Sequence, residues 1–421
     1  MKRTKMVAMM AAAAMVGTLA ASGVAGARDR TDARGVTSDT IKVGGLTDSQ
    51  QPEAAAGAKA ALDAANDSGG VNGRKFEYTG GNDDKGDVSQ SLALGKKLVQ
   101  QDGVFAVVPV VTPNGASAEK FFLQQHVPFF GWAINTGFAN NPYGFGFTGN
   151  LVPPKPLTSA GSTWGDLIDE YYKSKGDSNG AKGKTAATIT EDNDSGKTGL
   201  QLITASAKAA GMKVVYHKST IPAPPATVGD YSPFVNDIMT ANNGKPVDVA
   251  FSILSFTNTV GISKALRAAG FPGVITEPIA YDPRLVAVAK DETVFTQFAT
   301  PEAAPDNANM QKVVDTLDKY LPSDQPITQG VLSGYFSADF FVKAVKAAGK
   351  NLTPESLQKA TAKMTYEIKD VVGPTPYPDA FKFGTPCGSL VQSDGTAYQV
   401  VVKYSCFTNI NIKTLKPIPQ K

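Results

Sequence analysis

Strand-like and helix-like segments alternate along most of this 421-residue chain, and the alternation runs twice. In the first run, the predicted strands are Thr40–Leu46, Arg74–Thr79, Val104–Val111 and Val127–Phe130, and the predicted helices are Glu53–Asn66, Val88–Gln101 and 115–126. The valine-rich segment Val104–Val111 is typical of a strand that is buried on both faces of a parallel sheet. This alternation predicts a doubly wound α/β domain.

The second run predicts a second domain of the same kind. Its predicted strands are Thr185–Thr190, Met212–Lys218, Val247–Leu254 and Gly273–Thr276, and its predicted helices are Lys197–Ala210, 231–243 and 257–269. Helices 306–320 and 328–349, and one from Thr353, come later, which indicates that the chain returns to the first domain. The predicted fold class is α/β, with two Rossmann-like lobes. Because ligands bind at the carboxyl ends of such strands, we expect a cleft where the two lobes face each other.

The N-terminus has the pattern of a secretory signal peptide. Lys2, Arg3 and Lys5 precede an apolar run, and small residues lead to an A-x-A site that ends at Ala27. Cleavage after Ala27 would leave a protein that is secreted or periplasmic and soluble. No cysteine lies near that point, so we do not expect a lipid anchor.

Cleavage also changes the charge balance. Removing three basic residues from the 41 in the chain leaves 38 basic side chains against 38 acidic ones. A neutral protein has no electrostatic reason to bind nucleic acid or anionic lipid, so we predict neither as a partner.

The chain has only two cysteines, Cys387 and Cys406. Between them, a turn signal at Ser393–Gly395 separates two alternating, strand-like runs. Facing strands would bring the two sulfurs together, so we predict a structural disulfide rather than a redox pair, which more often has the C-x-x-C spacing.

Six short motifs occur in the order and spacing of a known family, and together they span most of residues 40–370. They are Ser68–Arg74 (SGGVNGR), Asp83–Asp87, Lys97–Val104, Val127–Phe130, Asp230–Phe234 and Ala268–Phe271. The chain therefore resembles the branched-chain amino-acid (Leu/Ile/Val-type) substrate-binding proteins of ABC importers. The resemblance is weaker in the C-terminal fifty residues.

The resemblance implies a type I periplasmic-binding-protein fold, in which about three crossover strands join the two lobes. The expected division is a signal peptide over 1–27 and a flexible leader over 28–38, followed by the lobes. Lobe 1 would comprise residues 39–148 plus 299–372, and lobe 2 residues 149–298 plus 373–421.

The family holds its ligand on two loops of lobe 1 that correspond here to 111–115 and 131–136. Each loop opens a helix, so free backbone N–H groups would face a ligand carboxylate. Trp132 is expected to pack on an apolar substrate, with packing in the lobe core as the alternative. The ligand-binding residues predicted in lobe 1 are Thr112, Asn114, Gly115, Trp132, Ala133 and Asn135.

In lobe 2 the resemblance implies contacts after three strands. The predicted residues are Ser195, Phe256, Glu277 and Tyr281. The acidic residue that commonly pairs with the ligand's ammonium group aligns with Pro278, and the family often has tyrosine where Ser195 stands. These departures leave an amino acid, an amide and an organic acid all open as the ligand.

Other signals in the sequence point away from catalysis. Ser195–Thr198 resembles the end of a phosphate-binding loop, but Glu191 stands where the first glycine is required. His126 and His217 have no partners at metal-ligand spacing, so we predict no metal and no cofactor.

The sequence thus predicts a non-enzymatic, secreted solute-binding subunit of an ABC importer. It would trap a small carboxylate-type ligand, act as a monomer and dock on a membrane permease. A ligand-sensing protein for a signalling partner is the alternative, and a secreted hydrolase is a weaker one.

Overall fold

The computed structural model describes residues 33–278, 281–287 and 289–419. The predicted signal peptide and residues 28–32 of the predicted leader lie outside the described residues. None of the helices in the described part of the chain is long and apolar enough to cross a membrane.

The first sheet has five parallel strands in the order β2-β1-β3-β4-β5. The strands are β1 (Thr40–Thr47), β2 (Lys75–Asp83), β3 (Ala106–Val111), β4 (Phe129–Ala133) and β5 (Gly144–Asn150). The helices between them are α1 (Ala54–Asp67), α2 (Val88–Gln100) and α3 (Ala116–Gln124). Every residue of β3 is buried, as its valine-rich sequence predicts.

The chain then enters a second sheet. Strand β6 (Ser159–Gly161) and helix α4 (Thr163–Ser174) come first. The next elements are β7 (Thr185–Glu191), α5 (Asp194–Ala209), β8 (Lys213–Ile221), α6 (Ser232–Thr240), β9 (Val249–Ile253), α7 (Phe256–Ala268), β10 (Val274–Glu277) and β11 (Thr293–Thr296). Strands β7 to β11 pair with one another in parallel.

The last third of the chain contributes to both sheets. Its elements are α8 (Ala308–Tyr320), α9 (Gln329–Ala348), α10 (Pro354–Thr361), β12 (Thr365–Ile368), β13 (Val372–Pro376), β14 (Cys387–Ser393), β15 (Tyr398–Cys406) and β16 (Asn409–Asn411). The second sheet has the order β15-β14-β11-β10-β9-β7-β8, with an antiparallel hairpin at one edge. Strands β12 and β13 pair with each other, and β16 pairs with β6.

Helix α9 packs against α1, β3 and β4, so the chain returns to the first sheet after β11 and goes back to the second for β14. The two helices touch through glycines. Gly57 of α1 lies against the carbonyl of Val331, and Gly334 of α9 lies against the carbonyl of Ala54. The chain therefore passes between the sheets three times, and the α/β fold with parallel sheets is confirmed.

Short polar side chains fix where many helices begin. The Asp87 carboxylate accepts hydrogen bonds from the backbone amides of Ser89 and Gln90 at the start of α2. Thr353 and Ser356 form a reciprocal capping box at the start of α10. Such caps satisfy amides that have no partner inside the helix, which stabilises each by about 1 kcal/mol.

The C-terminal hairpin carries the predicted disulfide. Cys387 and Cys406 are directly paired residues of β14 and β15, and their sulfurs are bonded. The turn lies at Asp394–Ala397, where the Asp394 carboxylate accepts from the amides of Thr396 and Ala397. Both the hairpin and the cross-link are as predicted.

Replacing Cys387 and Cys406 together by serine is expected to lower the free energy of unfolding by about 3 kcal/mol, because an open hairpin has more freedom when unfolded. Urea unfolding of parent and variant measures this difference. The parent should lose the same stability on reduction, while the double variant should not respond to the reductant. A variant as stable as the oxidised parent would show that pairing with β11 alone holds the hairpin.

Candidate ligand-binding site

A cavity of about 190 Å³ lies between the two sheets. It is lined by loops that follow the carboxyl ends of β1, β3 and β4 in the first sheet and of β7, β9 and β10 in the second. The three connections between the sheets add Asn150–Pro153, Gln297 and Phe383–Thr385. The cavity therefore occupies the position that the sequence predicts for the cleft.

Hydrogen bonds cross the cleft on both sides of the cavity. The side-chain oxygen of Gln50, after β1, accepts from the amide of Thr257 at 3.1 Å and from its hydroxyl at 3.0 Å. The Ser195 hydroxyl, at the start of α5, donates to the carbonyl of Ile134 after β4. These contacts hold the loops of the two sheets together around the cavity.

Four of the ten predicted ligand-binding residues line the cavity: Asn114, Trp132, Ser195 and Phe256. Trp132 lies within β4 rather than in the loop after it, because β4 ends three residues later than the predicted strand. Trp132 is 1 % exposed and packs in the main core, while the contact with an apolar substrate stays a prediction.

Thr112 and Asn135 do not line the cavity, because buried carboxyl groups take their hydrogen bonds. The Thr112 hydroxyl donates to Asp84 at 2.6 Å. The Asn135 amide donates to the carbonyl of Thr112 at 2.9 Å and to Glu119 at 2.7 Å. These two residues support the loops from behind.

The other four predicted residues also lie outside the cavity lining. Gly115 is the N-cap of α3, and Ala133 is a buried residue of β4. Glu277 ends β10 and is buried. Tyr281 is buried and donates to Glu302 at 2.8 Å. Pro278, between Glu277 and Tyr281, does line the cavity.

An acidic corner made of Asp48, Asp83 and Asp84 lies at the first sheet's edge of the cavity. Asp48 lines the cavity and accepts from the amides of Gln50 and Gln51, both at 3.0 Å through Oδ1. Burial, with the nearby Asp84, raises the pKa of Asp48 to about 7. Burial likewise raises the pKa of Asp84 to about 6 against the hydrogen bond from Thr112. Burial thus favours the protonated form of both carboxyl groups.

Glu191 organises the opposite side of the cavity. It ends β7, and its Oε1 accepts from the amide of Ser255 at 2.9 Å and from the side chain of Asn258 at 2.7 Å. Its Oε2 accepts from the side chain of Asn193 at 3.3 Å. Asn193 caps α5 through the amide of Gly196. Glu191 thus fixes the starts of α5 and α7 relative to each other.

Several buried polar atoms of residues that line the cavity have no protein partner. They are both amide atoms of Gln51, Nε1 of Trp132, the Ser255 hydroxyl and Oε1 of Gln297. Because a buried unpaired polar group costs about 1–3 kcal/mol, such a set indicates a site whose hydrogen bonds are completed by a ligand or by water.

The sequence profile of the periplasmic binding protein family matches residues 40–397, which include both sheets up to β14 and every residue that lines the cavity except Asn409. The chain belongs to this family. The resemblance inferred from the six motifs is therefore confirmed. Members of the family are transporter binding proteins rather than enzymes. None of the curated proteins matches this periplasmic binding protein significantly.

Solved structures of ABC-transporter binding proteins have the same fold. A fatty acid ABC transporter substrate-binding protein from Thermomonospora curvata is 19% identical, with TM-score 0.69 over 92% of this chain and 97% of that one. A benzoate complex of a solute-binding protein from R. palustris is 16% identical, with TM-score 0.66 over 87% and 98%. The isoleucine complex of LivJ from Streptococcus pneumoniae is 17% identical, with TM-score 0.65 over 88% and 100%.

Sequence reasoning on this periplasmic binding protein missed the loop after its first strand. Asp48, Gln50 and Gln51 follow β1 directly, so the rule that ligands bind at the carboxyl ends of strands would have included them. It also missed Trp164, because helix α4 was not predicted. Gln297 and Phe383 come from connections between the sheets, and no pattern marks them in the sequence.

Proposed function

We propose that this protein is the secreted solute-binding subunit of an ABC importer, which traps a small molecule between two lobes and converts nothing. The lobes would be residues 39–148 plus 299–372 and residues 149–298 plus 373–421, after removal of a signal peptide over 1–27. The observation that carries the proposal is the cavity enclosed by strand-end loops of both sheets. The ligand would be an amino acid, an amide or an organic acid, and the partner a membrane permease.

Closure of the cleft would be driven by the ligand. Gln50 and Ser195 supply hydrogen bonds across the cleft, and each is worth only about 1 kcal/mol net. A ligand that contacts both sheets adds its own contacts to the closed state alone and shifts the population toward it. The closed form would then dock on the permease. The protein would act as a monomer.

The chemistry of the lining supports binding rather than catalysis. Its only acidic side chains in the described part of the chain are Asp48 and Glu191, and Glu191 is held by three hydrogen bonds. His126 and His217 do not line the cavity. Ser195 and Ser255 therefore have no histidine base beside them in the cavity for nucleophilic attack.

The two tryptophans of the chain, Trp132 and Trp164, both line the cavity. We expect a ligand to change the intrinsic fluorescence and to raise the melting temperature together. A ligand at 100 times its Kd stabilises the protein by about 2.7 kcal/mol. A screen of amino acids, amides and small organic acids that reads both signals tests the proposal. A hit that the protein converts into a product would overturn it.

Replacing Asn114 by alanine is expected to weaken ligand binding by about fivefold, because its side chain faces the cavity at the start of α3. The matched control is Asn236→Ala on the exposed face of α6, which should leave the affinity unchanged. Isothermal titration of both variants with a hit from the screen gives the comparison. Equal affinities for the two variants would mean that the ligand binds elsewhere.

A further inference from the structure

The cavity has an unusual charge pattern for a site that is expected to hold a carboxylate. None of the described residues in its lining is lysine, arginine or histidine, whereas Asp48 and Glu191 are both acidic. A carboxylate in this cavity would meet two carboxyl groups and no cation. Only the backbone amides at the starts of α3, α5 and α7 could offset its charge, against the cost of removing an anion from water into a site with two carboxyl groups.

The unpaired polar atoms indicate what kind of group the cavity holds. Gln51 offers a donor and an acceptor, Trp132 a donor and Gln297 an acceptor. A carboxylate could only accept and would leave Gln297 unpaired. An ammonium group could only donate and would leave the Trp132 N–H unpaired. A group that both donates and accepts can pair with both kinds of atom, and the Ser255 hydroxyl, which belongs to the same set, can pair with either function.

The remaining wall of the cavity is apolar. Trp164 and Phe295 lie with ring centroids 4.2 Å apart, and Leu202, Ile203 and Ile253 continue the surface. At one end of the lining, Gly86 lies against Pro224. At the other end, Gly384 lies beside Leu151, and both belong to connections between the two sheets. At about 190 Å³ the cavity exceeds the ~150 Å³ of an engineered cavity that binds benzene. The space therefore suits an apolar body longer than one ring.

We propose that the solute is an uncharged molecule with an extended apolar body and one polar group, such as a primary amide, that both donates and accepts hydrogen bonds. This inference rests on the proposed function and narrows its ligand class. The polar group would lie beside Gln51, Trp132 and Gln297, and the apolar body against Trp164 and Phe295.

Octanamide, octanoate and octylammonium test the proposal, because they share one chain and differ in charge. Isothermal titration at pH 7 should give octanamide a Kd at least about tenfold below those of the other two. Tightest binding of octanoate or octylammonium would overturn the proposal. The proposal would also be overturned if a charged compound from the wider screen binds and octanamide does not.

A pair of matched variants tests the placement of the polar group. Trp132→Phe removes the unpaired N–H and keeps a ring, so octanamide binding should weaken by about fivefold. Because Trp164 would contact the apolar body, the control is Asn236→Ala on the exposed face of α6, which should alter the Kd by less than about twofold. Equal losses would overturn this placement. If no compound in the wider screen binds, the proposed function itself fails, which is a different result from tighter binding of a charged congener.

Discussion

Gly334→Val is expected to prevent this protein from accumulating in folded form. A Cβ at Gly334 would lie 1.8 Å from the carbonyl oxygen of Ala54, and this oxygen belongs to a backbone that cannot rotate away. Helices α1 and α9 would have to separate, which opens the core around Phe336 and Phe340. We expect a loss of at least about 4 kcal/mol. Yield of folded protein and thermal melting followed by circular dichroism measure it.

The control for this change is Gly229→Val. Gly229 has open space around its Cβ position and no left-handed backbone conformation, so the same substitution should leave the melting temperature nearly unchanged. A Gly334→Val protein that melts together with the Gly229→Val protein would show that α9 can move away from α1 at little cost.

Glu119→Gln is expected to stabilise the protein at alkaline pH. Glu119 is fully buried on α3, and burial raises its pKa to about 8 although Asn135 donates to it. When folding raises the pKa of a carboxyl group, the full free energy of unfolding is present below the pKa of that group in the unfolded chain. This free energy falls as the pH rises through the pKa of the group in the folded protein. Raising the pKa of Glu119 from its ordinary value to about 8 corresponds to a loss on the order of 5 kcal/mol between pH 4 and pH 9. Glutamine cannot ionise and avoids this loss.

Urea unfolding at pH 5 and pH 9 checks this expectation. Parent and Glu119→Gln should be similar at pH 5, and the variant should be the more stable protein at pH 9. Burial raises the pKa of Asp48 and Glu292 to about 7, so some decline with pH should remain in the variant. Exposed Glu170→Gln on α4 should follow the parent at both values. Parallel curves for parent and Glu119→Gln would contradict the predicted role of burial.

The elements with a clear period or a long apolar run could be predicted from the sequence. Strands β1, β3, β7 and β9 lie where they were predicted, because a buried parallel strand is marked by its own residues. Helix α4 was not predicted, because it begins with Thr163, Trp164 and Gly165, which are weak helix formers. Its stability comes from packing on α5 and the second sheet, which no local pattern reveals.

The candidate site was predictable at the level of loops and not of side chains. The loops that hold Asn114, Ser195 and Phe256 do line the cavity. Thr112 and Asn135 are polar residues of two of the expected loops. Their side chains do not line the cavity, because they donate hydrogen bonds to Asp84 and Glu119. Which polar groups are left for a ligand depends on these buried partners, and they are distant in sequence.

The returns of the chain between the sheets also affect how it can fold during synthesis. Helix α9 covers strands that are made roughly 200 residues earlier, and β14 joins a sheet whose first strand lies a similar distance back. Closing such long loops delays native contacts until nearly the whole chain is present. A growing chain that stops before α9 leaves the face of Val43 and Phe130 uncovered. The order of its elements thus keeps the nascent protein from completing either half early, which would suit the proposed export, because an exported polypeptide has to remain unfolded while it crosses a membrane.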